Sequence, residues 1–252
     1  MRFLGINLCE KVPDAKTIWK FKNDLAETET VDKLFCMFDE HLENKGLISH
    51  KGTIVDATFV DAPRQRNSRD ENKKIKNGVI PEEWEKPENK SKLAQKDTDA
   101  DWTKKNGERH FGYKDHVKCD ADSKLITNYS VTSATVHDSQ RCLVFIGQED
   151  EVLYADSAYS GKPIALALPE NCKNQICEKG YRNSPLTSEQ KMNNRRKSRI
   201  RCRIEQIFGF MTGAMHGITI RSIGITRAWM NIGITNLVYN FCRYSYLKRA
   251  SA

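Results

Sequence analysis

Apolar positions recur at helical spacing soon after Pro13 and Asp14, first as Ile18, Phe21 and Leu25, then as Val31, Leu34, Phe35, Phe38 and Leu42 before Gly46. This pattern predicts two helices folded into a hairpin. The run GTIVDATFVDA, crowded with β-branched and aromatic residues and closed by Pro63, predicts a strand. Residues 64–107 lose this regularity, filling with Lys, Glu, Asp and Asn around Pro81 and Pro87, and read as an insertion or loop. HFGYKDHVKCD and SKLITNYSVTSA predict a β-hairpin turning at Asp122 and Ser123, and VHDSQRCLVFIG a short helix capped by Asp138 or Ser139. EVLYAD predicts a brief strand, 161–168 a helix, 171–177 another strand, and 187–211 one long basic helix. A final amphipathic helix is expected over 226–247, with Trp229, Ile232, Leu237, Val238 and Phe241 on its core stripe.

Charge divides this chain unevenly. The 252 residues carry a net +8, yet the part from Lys179 onward holds 14 Lys or Arg against two acids, a local +12 that leaves about −4 for everything before it. A localised basic region favours a polyanionic partner. The eight cysteines form no CxxC pair and no Cys/His zinc spacing, so reduced structural thiols are expected. No signal peptide opens the chain, and the most apolar late segment is broken by Arg227, Asn231, Asn236 and Asn240, which argues against a membrane span and for a cytoplasmic protein.

Three acids stand where their neighbours make them costly. Asp56 lies mid-strand, on the face shared by Ile54, Thr58 and Val60, and Asp156 ends the strand run VLYA. Glu205 is one of the two acids of the basic region, where it weakens phosphate binding unless it has another task. Carboxylates suit Mg²⁺, which takes oxygen ligands, and two such ions about 3.5–4 Å apart support phosphodiester cleavage. Plainer readings stand beside this one. Asp56 could pair with an Arg, Asp156 could cap the helix after it, and Glu205 could bridge to Arg201 one turn back. Lys114 and His116 are candidates to reach a phosphate or simply to build the hairpin; His137 and Asp138, to support a metal site from behind or to cap a helix. Arg195, Arg196, Arg199, Arg201 and Arg203 form a candidate phosphate-binding cluster, against solvated surface for any one of them. Trp84 and Trp102 could stack on an unpaired base or anchor their loop to the core.

The segments VPDAKTIWKF, GTIVDATFVDAPRQRNSRDEN, WTKKNGERHFGYKDHVKCD, SVTSATVHDSQ, YADSAYSG, KGYRNSPLTSEQKMNNRRKSRIRCRIEQIFG and RSIGITRAWMNIGITNLVYN together resemble the IS5-type bacterial insertion-sequence transposases. The resemblance implies an α/β, RNase H-like mixed sheet flanked by helices, with a helical segment at 1–50 and a catalytic domain at 51–252 interrupted at about 64–107. It implies that Asp56, Asp156 and Glu205 hold two Mg²⁺ ions, for which Mn²⁺ can substitute, and that Arg201 steadies the scissile phosphate. Double-stranded DNA, at transposon ends and target, is the implied partner of a homodimer associated with the nucleoid. Ser198 and Thr212 replace the Tyr and Lys of the neighbouring IS4-type pattern, so those roles do not carry over. Relatives of this type carry a further N-terminal helical segment, and the chain is expected to be truncated there. The rival expectations are a metal-dependent nuclease without strand transfer, and a non-catalytic DNA-binding fragment or inhibitor of a full-length transposase.

Overall fold

The computed structural model describes residues 5, 7, 10–105 and 107–250. At its centre, β1 (Thr53–Asp61) pairs antiparallel with β3 (Glu108–Asp120) on one edge and parallel with β5 (Val152–Tyr154) on the other. β6 (Lys173–Asn174) extends the parallel side, while the far edge of β3 is shared by β2 (Asp101–Lys105) and β4 (Ile126–Ser133). The result is a six-stranded mixed sheet, flanked by helices in the α/β arrangement of an RNase H-like fold.

Alternation along β1 sends its side chains into two separate cores. Ile54 and Val60 join Phe111, Tyr113, Val117 and Cys119 of β3 beneath a helical layer. That layer contains α1 (Ala15–Glu27), α2 (Thr30–Asn44), α9 (Arg203–Gly213) and α10 (Ile225–Ala250). Val55 points the other way, into a cluster with Leu153, Cys142 and Phe145 of α6 (Asp138–Phe145), and Ile164 of α7 (Lys162–Ala167). The helical hairpin forms as expected, and Asp14 caps it by accepting from the Thr17 N–H at 2.7 Å. Ile18 and Phe21 of its stripe are nevertheless exposed; Ala26, Val31, Phe35 and Leu42 supply the buried contacts.

Several sequence expectations need correction. The region 64–107 is not a loop: it folds into α3 (Arg69–Lys76), α4 (Glu82–Glu85) and α5 (Lys90–Leu93), and its last residues form β2. Its small core is Trp84, which is fully buried, donates its indole N–H to Glu71 at 2.8 Å and lies under the ammonium groups of Lys92 and Lys96. Trp84 therefore anchors its loop and offers no face for a base. Trp102 packs on Phe111 and carries Arg64 over its ring. The basic helix breaks at Cys202 into α8 (Ser188–Arg201) and α9, after starting at Thr187 with a capping box to Gln190. The α6 cap is His137, whose Nδ1 accepts from the Ser139 N–H.

On α10, Trp229, Ile232 and Leu237 pack into the core as expected, but the rest of the stripe differs. Val238 and Phe241 are largely exposed, whereas Asn236 and Asn240 are buried. Asn240 explains its own burial by accepting from the Ile126 N–H at 2.9 Å and donating to the Ile126 carbonyl at 2.7 Å, which satisfies an edge that no further strand covers. The seven described cysteines are free, as expected; Cys9 lies outside the described residues. Burial pushes the Cys142 thiol up to about 12, which keeps it protonated and unreactive.

Candidate active site

The parallel register of β1 and β5 aligns Ile54 with Tyr154. Two residues beyond this pair, Asp56 lies midway along β1 and Asp156 follows the carboxyl end of β5, on the side of the parallel pair where open α/β sheets place their ligands. Asp156 leaves its strand at once and caps the turn Ser157–Tyr159, accepting from the Ala158 N–H at 2.7 Å. α8 packs against β5 and α9 against β1, so the junction between the two helices overhangs this end of the sheet. Arg201 closes α8 and Glu205 lies in the first turn of α9.

The guanidinium of Arg201 joins the acids. One nitrogen donates to Asp56 Oδ2 at 2.9 Å and the other to Glu205 Oε1 at 2.6 Å. Burial pushes the Asp56 carboxyl up to about 6; the Ala57 N–H and Arg201 oppose the shift, and Asp156 reinforces it. Burial also works against the charge of Arg201, but Asp56, Glu205 and Asp156 together outweigh it and raise its pKa. All three plainer readings of the acids thus hold at once, and they hold because the acids share one place.

A family model described as "Transposase DDE domain" matches residues 48–241. The chain belongs to the DDE transposase family. No solved structure matches it. The match spans the sheet, α3 to α5 and most of α10, and gives the domain a transposase function with DNA as its implied substrate. None of the transposase helices among the described residues is long and apolar enough to cross a membrane.

DDE transposases use divalent metal ions. The residues fit such a group: the donor set is all carboxylate oxygen, and Asp56 remains under-compensated in its buried position even with Arg201 beside it. A tighter cluster of possible ligands lies elsewhere, at His50, Glu149 and Asp150, whose donor atoms fall within 4.8 Å of one another. It sits at the amino end of β1 and β5, opposite the triad. Asp150 there is already engaged, by Thr53 at 2.6 Å, Lys118 at 2.8 Å and the Gly147 N–H at 2.9 Å, which makes it a structural tie.

The remaining predicted residues divide by face. Register pairs Lys114 with Phe59 and His116 with Ala57, so both project from the side of the sheet opposite Asp56. Lys114 is buried, donating to Asp138 at 2.8 Å and to the Val136 carbonyl at 2.7 Å, and is not free to meet a phosphate. His116 bonds Thr132 at 2.8 Å, and burial pushes its pKa down to about 4, leaving it neutral. His137 is exposed at its capping position. Arg195, Arg196 and Arg199 are exposed on α8, whereas Arg203 donates to the Ala121 carbonyl at 2.6 Å and to Asp122 at 3.0 Å, tying α9 to the β3–β4 turn.

Tyr159 is the residue that sequence reading passed over. Its hydroxyl is buried without a hydrogen-bond partner, and its pKa is raised by burial and by the nearby charges of Asp56, Asp138 and Asp156. The signal lay in YADSAY: Asp156 and Tyr159 are three residues apart, one turn of the 3₁₀ helix that the aspartate caps.

Proposed function

We propose that this chain is an IS5-type transposase that cleaves DNA strands and transfers them, using Asp56, Asp156 and Glu205 as the ligands of two Mg²⁺ ions, which Mn²⁺ can replace. The single observation that carries this reading is the convergence of the three acids on Arg201 beside the middle of β1 and the carboxyl end of β5. The catalytic unit in this reading is 51–252, with an insertion at about 64–107, preceded by a helical segment at 1–50. A homodimer on paired DNA ends is part of the same proposal.

Bound there, the metal ions would neutralise charge on the reacting phosphate and activate the attacking oxygen. The chain's own residues fix the frame: β1 and β5 hold Asp56 and Asp156 level, and α9 presents Glu205 from above. Water attacks phosphorus and the bond to the 3′ oxygen breaks, leaving a 3′-hydroxyl and a 5′-phosphate. That hydroxyl then attacks a target phosphodiester and displaces another 3′-hydroxyl, so no protein-bound intermediate forms. Arg195, Arg196 and Arg199 present cations to the flanking duplex.

Cleavage and strand-transfer assays on DNA taken from either side of the coding region, with Mg²⁺ or Mn²⁺, test the proposal. The wild type is expected to cut and join. Asp56→Asn, Asp156→Asn and Glu205→Gln should each lose roughly two orders of magnitude or more in rate, on the scale of removing a preorganised charge, while still binding DNA. Cutting without joining would reduce the reading to a nuclease. DNA binding with no cutting, unchanged by Asp56→Asn, would leave a non-catalytic DNA-binding protein.

A further inference from the structure

Arg201 engages one oxygen of each of two carboxylates that would hold metal. Its fork spans Asp56 Oδ2 at 2.9 Å and Glu205 Oε1 at 2.6 Å, linking β1 to α9 across the carboxylate centre. Arg201 is 20% and Asp56 14% exposed, so solvent screens that arm of the fork less than a surface pair, whereas Glu205 is 56% exposed. A guanidinium on these oxygens competes with a metal ion for their lone pairs, and the two positive charges repel. Arg201 also ends α8 immediately before the break at Cys202, where the helix is interrupted.

We propose that Arg201 is a resident counter-ion of the carboxylate centre, released when a DNA phosphate takes its guanidinium, so that DNA and divalent metal bind cooperatively. The proposal rests on the reading of Asp56, Asp156 and Glu205 as metal ligands. Without DNA, the fork neutralises two acids that would otherwise repel each other and competes with metal for them. With DNA, the fork that gave one nitrogen to each carboxylate turns both to a single phosphate, a geometry that suits guanidinium, and the vacated oxygens accept metal. Metal is thereby disfavoured until there is a strand to cut. By linkage, metal must strengthen DNA binding by the factor by which DNA strengthens metal binding.

Two binding measurements test this without recourse to activity. The first is Mn²⁺ titration of the DNA-free protein, followed by electron paramagnetic resonance. The second is anisotropy of a labelled duplex with and without Ca²⁺ at matched ionic strength. In the wild type, metal should tighten DNA binding on the order of tenfold, within the usual range of coupling between sites. Arg201→Gln should bind Mn²⁺ about tenfold more tightly without DNA and show a coupling between metal and DNA weaker than in the wild type, reduced to the part that comes from metal contact with the phosphate. Arg201→Lys, which keeps the charge but cannot span both carboxylates, should move both readouts in the same direction and serves if the Gln variant does not fold. Equal Mn²⁺ affinity in wild type and variants, or coupling as strong in Arg201→Gln as in the wild type, overturns the proposal. If Asp56→Asn and Asp156→Asn leave Mn²⁺ binding unchanged, the ligand assignment itself fails, a result distinct from either outcome for Arg201.

Discussion

Asp115 shows how far burial alone can shift a residue in this fold. It is fully enclosed between β3 and α10, where Asn236 donates to Oδ1 at 3.2 Å, while Asp115 Oδ2 and Asn236 Oδ1 have no partner. Desolvation pushes the carboxyl from 3.8 to about 8, so the folded protein keeps its proton at neutral pH. The proton gives Oδ2 a hydrogen to donate. Because the native state holds this proton more tightly than the unfolded chain, stability from this group is complete below about pH 4 and falls as pH rises to about 8. The slope is about 1.4 kcal/mol per pH unit in that window. Asp115→Asn should remove this slope, so urea denaturation between pH 5 and 8 should find the variant gaining on the wild type as pH rises. Parallel curves would show that Asp115 is not held protonated.

Among the elements, α10 illustrates the limit of periodicity. Its apolar residues are spread around the helix, so spacing alone did not identify which side faces the sheet, and the expected stripe included the exposed Val238 and Phe241. The two buried asparagines mark the true contact face, because each meets a polar group that the sheet itself leaves over. Asn240→Leu should cost about 2–4 kcal/mol, since it removes two hydrogen bonds and strands the N–H and C=O of Ile126. Chemical denaturation reads that destabilisation, and hydrogen exchange should show it first along β4. The insertion follows the same logic. Its composition resembled a loop because one Trp, held by Glu71, Lys92 and Lys96, replaces the several apolar residues that usually share this role.

For the molecule as a whole, the basic charge seen in the C-terminal third is divided by the fold into two kinds. Arg201 and Arg203 turn inward to carboxylates and carbonyls. Arg195, Arg196 and Arg199 stay exposed, and at 3.6 residues per turn they fall within an arc of about 100° on α8, one face that a single duplex could follow. Replacing these three with Gln should weaken DNA binding and lower the magnitude of the slope of log K against log salt by about 2–3, at roughly 0.9 for each phosphate no longer neutralised. A slope unchanged in the triple variant would move the DNA to another surface.

The chain's local order was legible from its residues alone: the hairpin before Gly46, the strand around Asp56, the β3–β4 turn and the short parallel strand before Asp156 all follow from periodicity and turn chemistry. The three acids were also visible, because each was out of keeping with its immediate neighbours. Spacing could not reveal that Lys114 and His116 face away from Asp56, that Cys202 divides the basic helix, or that Arg201 joins Asp56 and Glu205. These depend on contacts between residues such as Asp56 and Arg201, 145 positions apart. Strand pairing and helix packing decide which groups meet, and burial then sets their charge; neither is encoded in the period of a single segment.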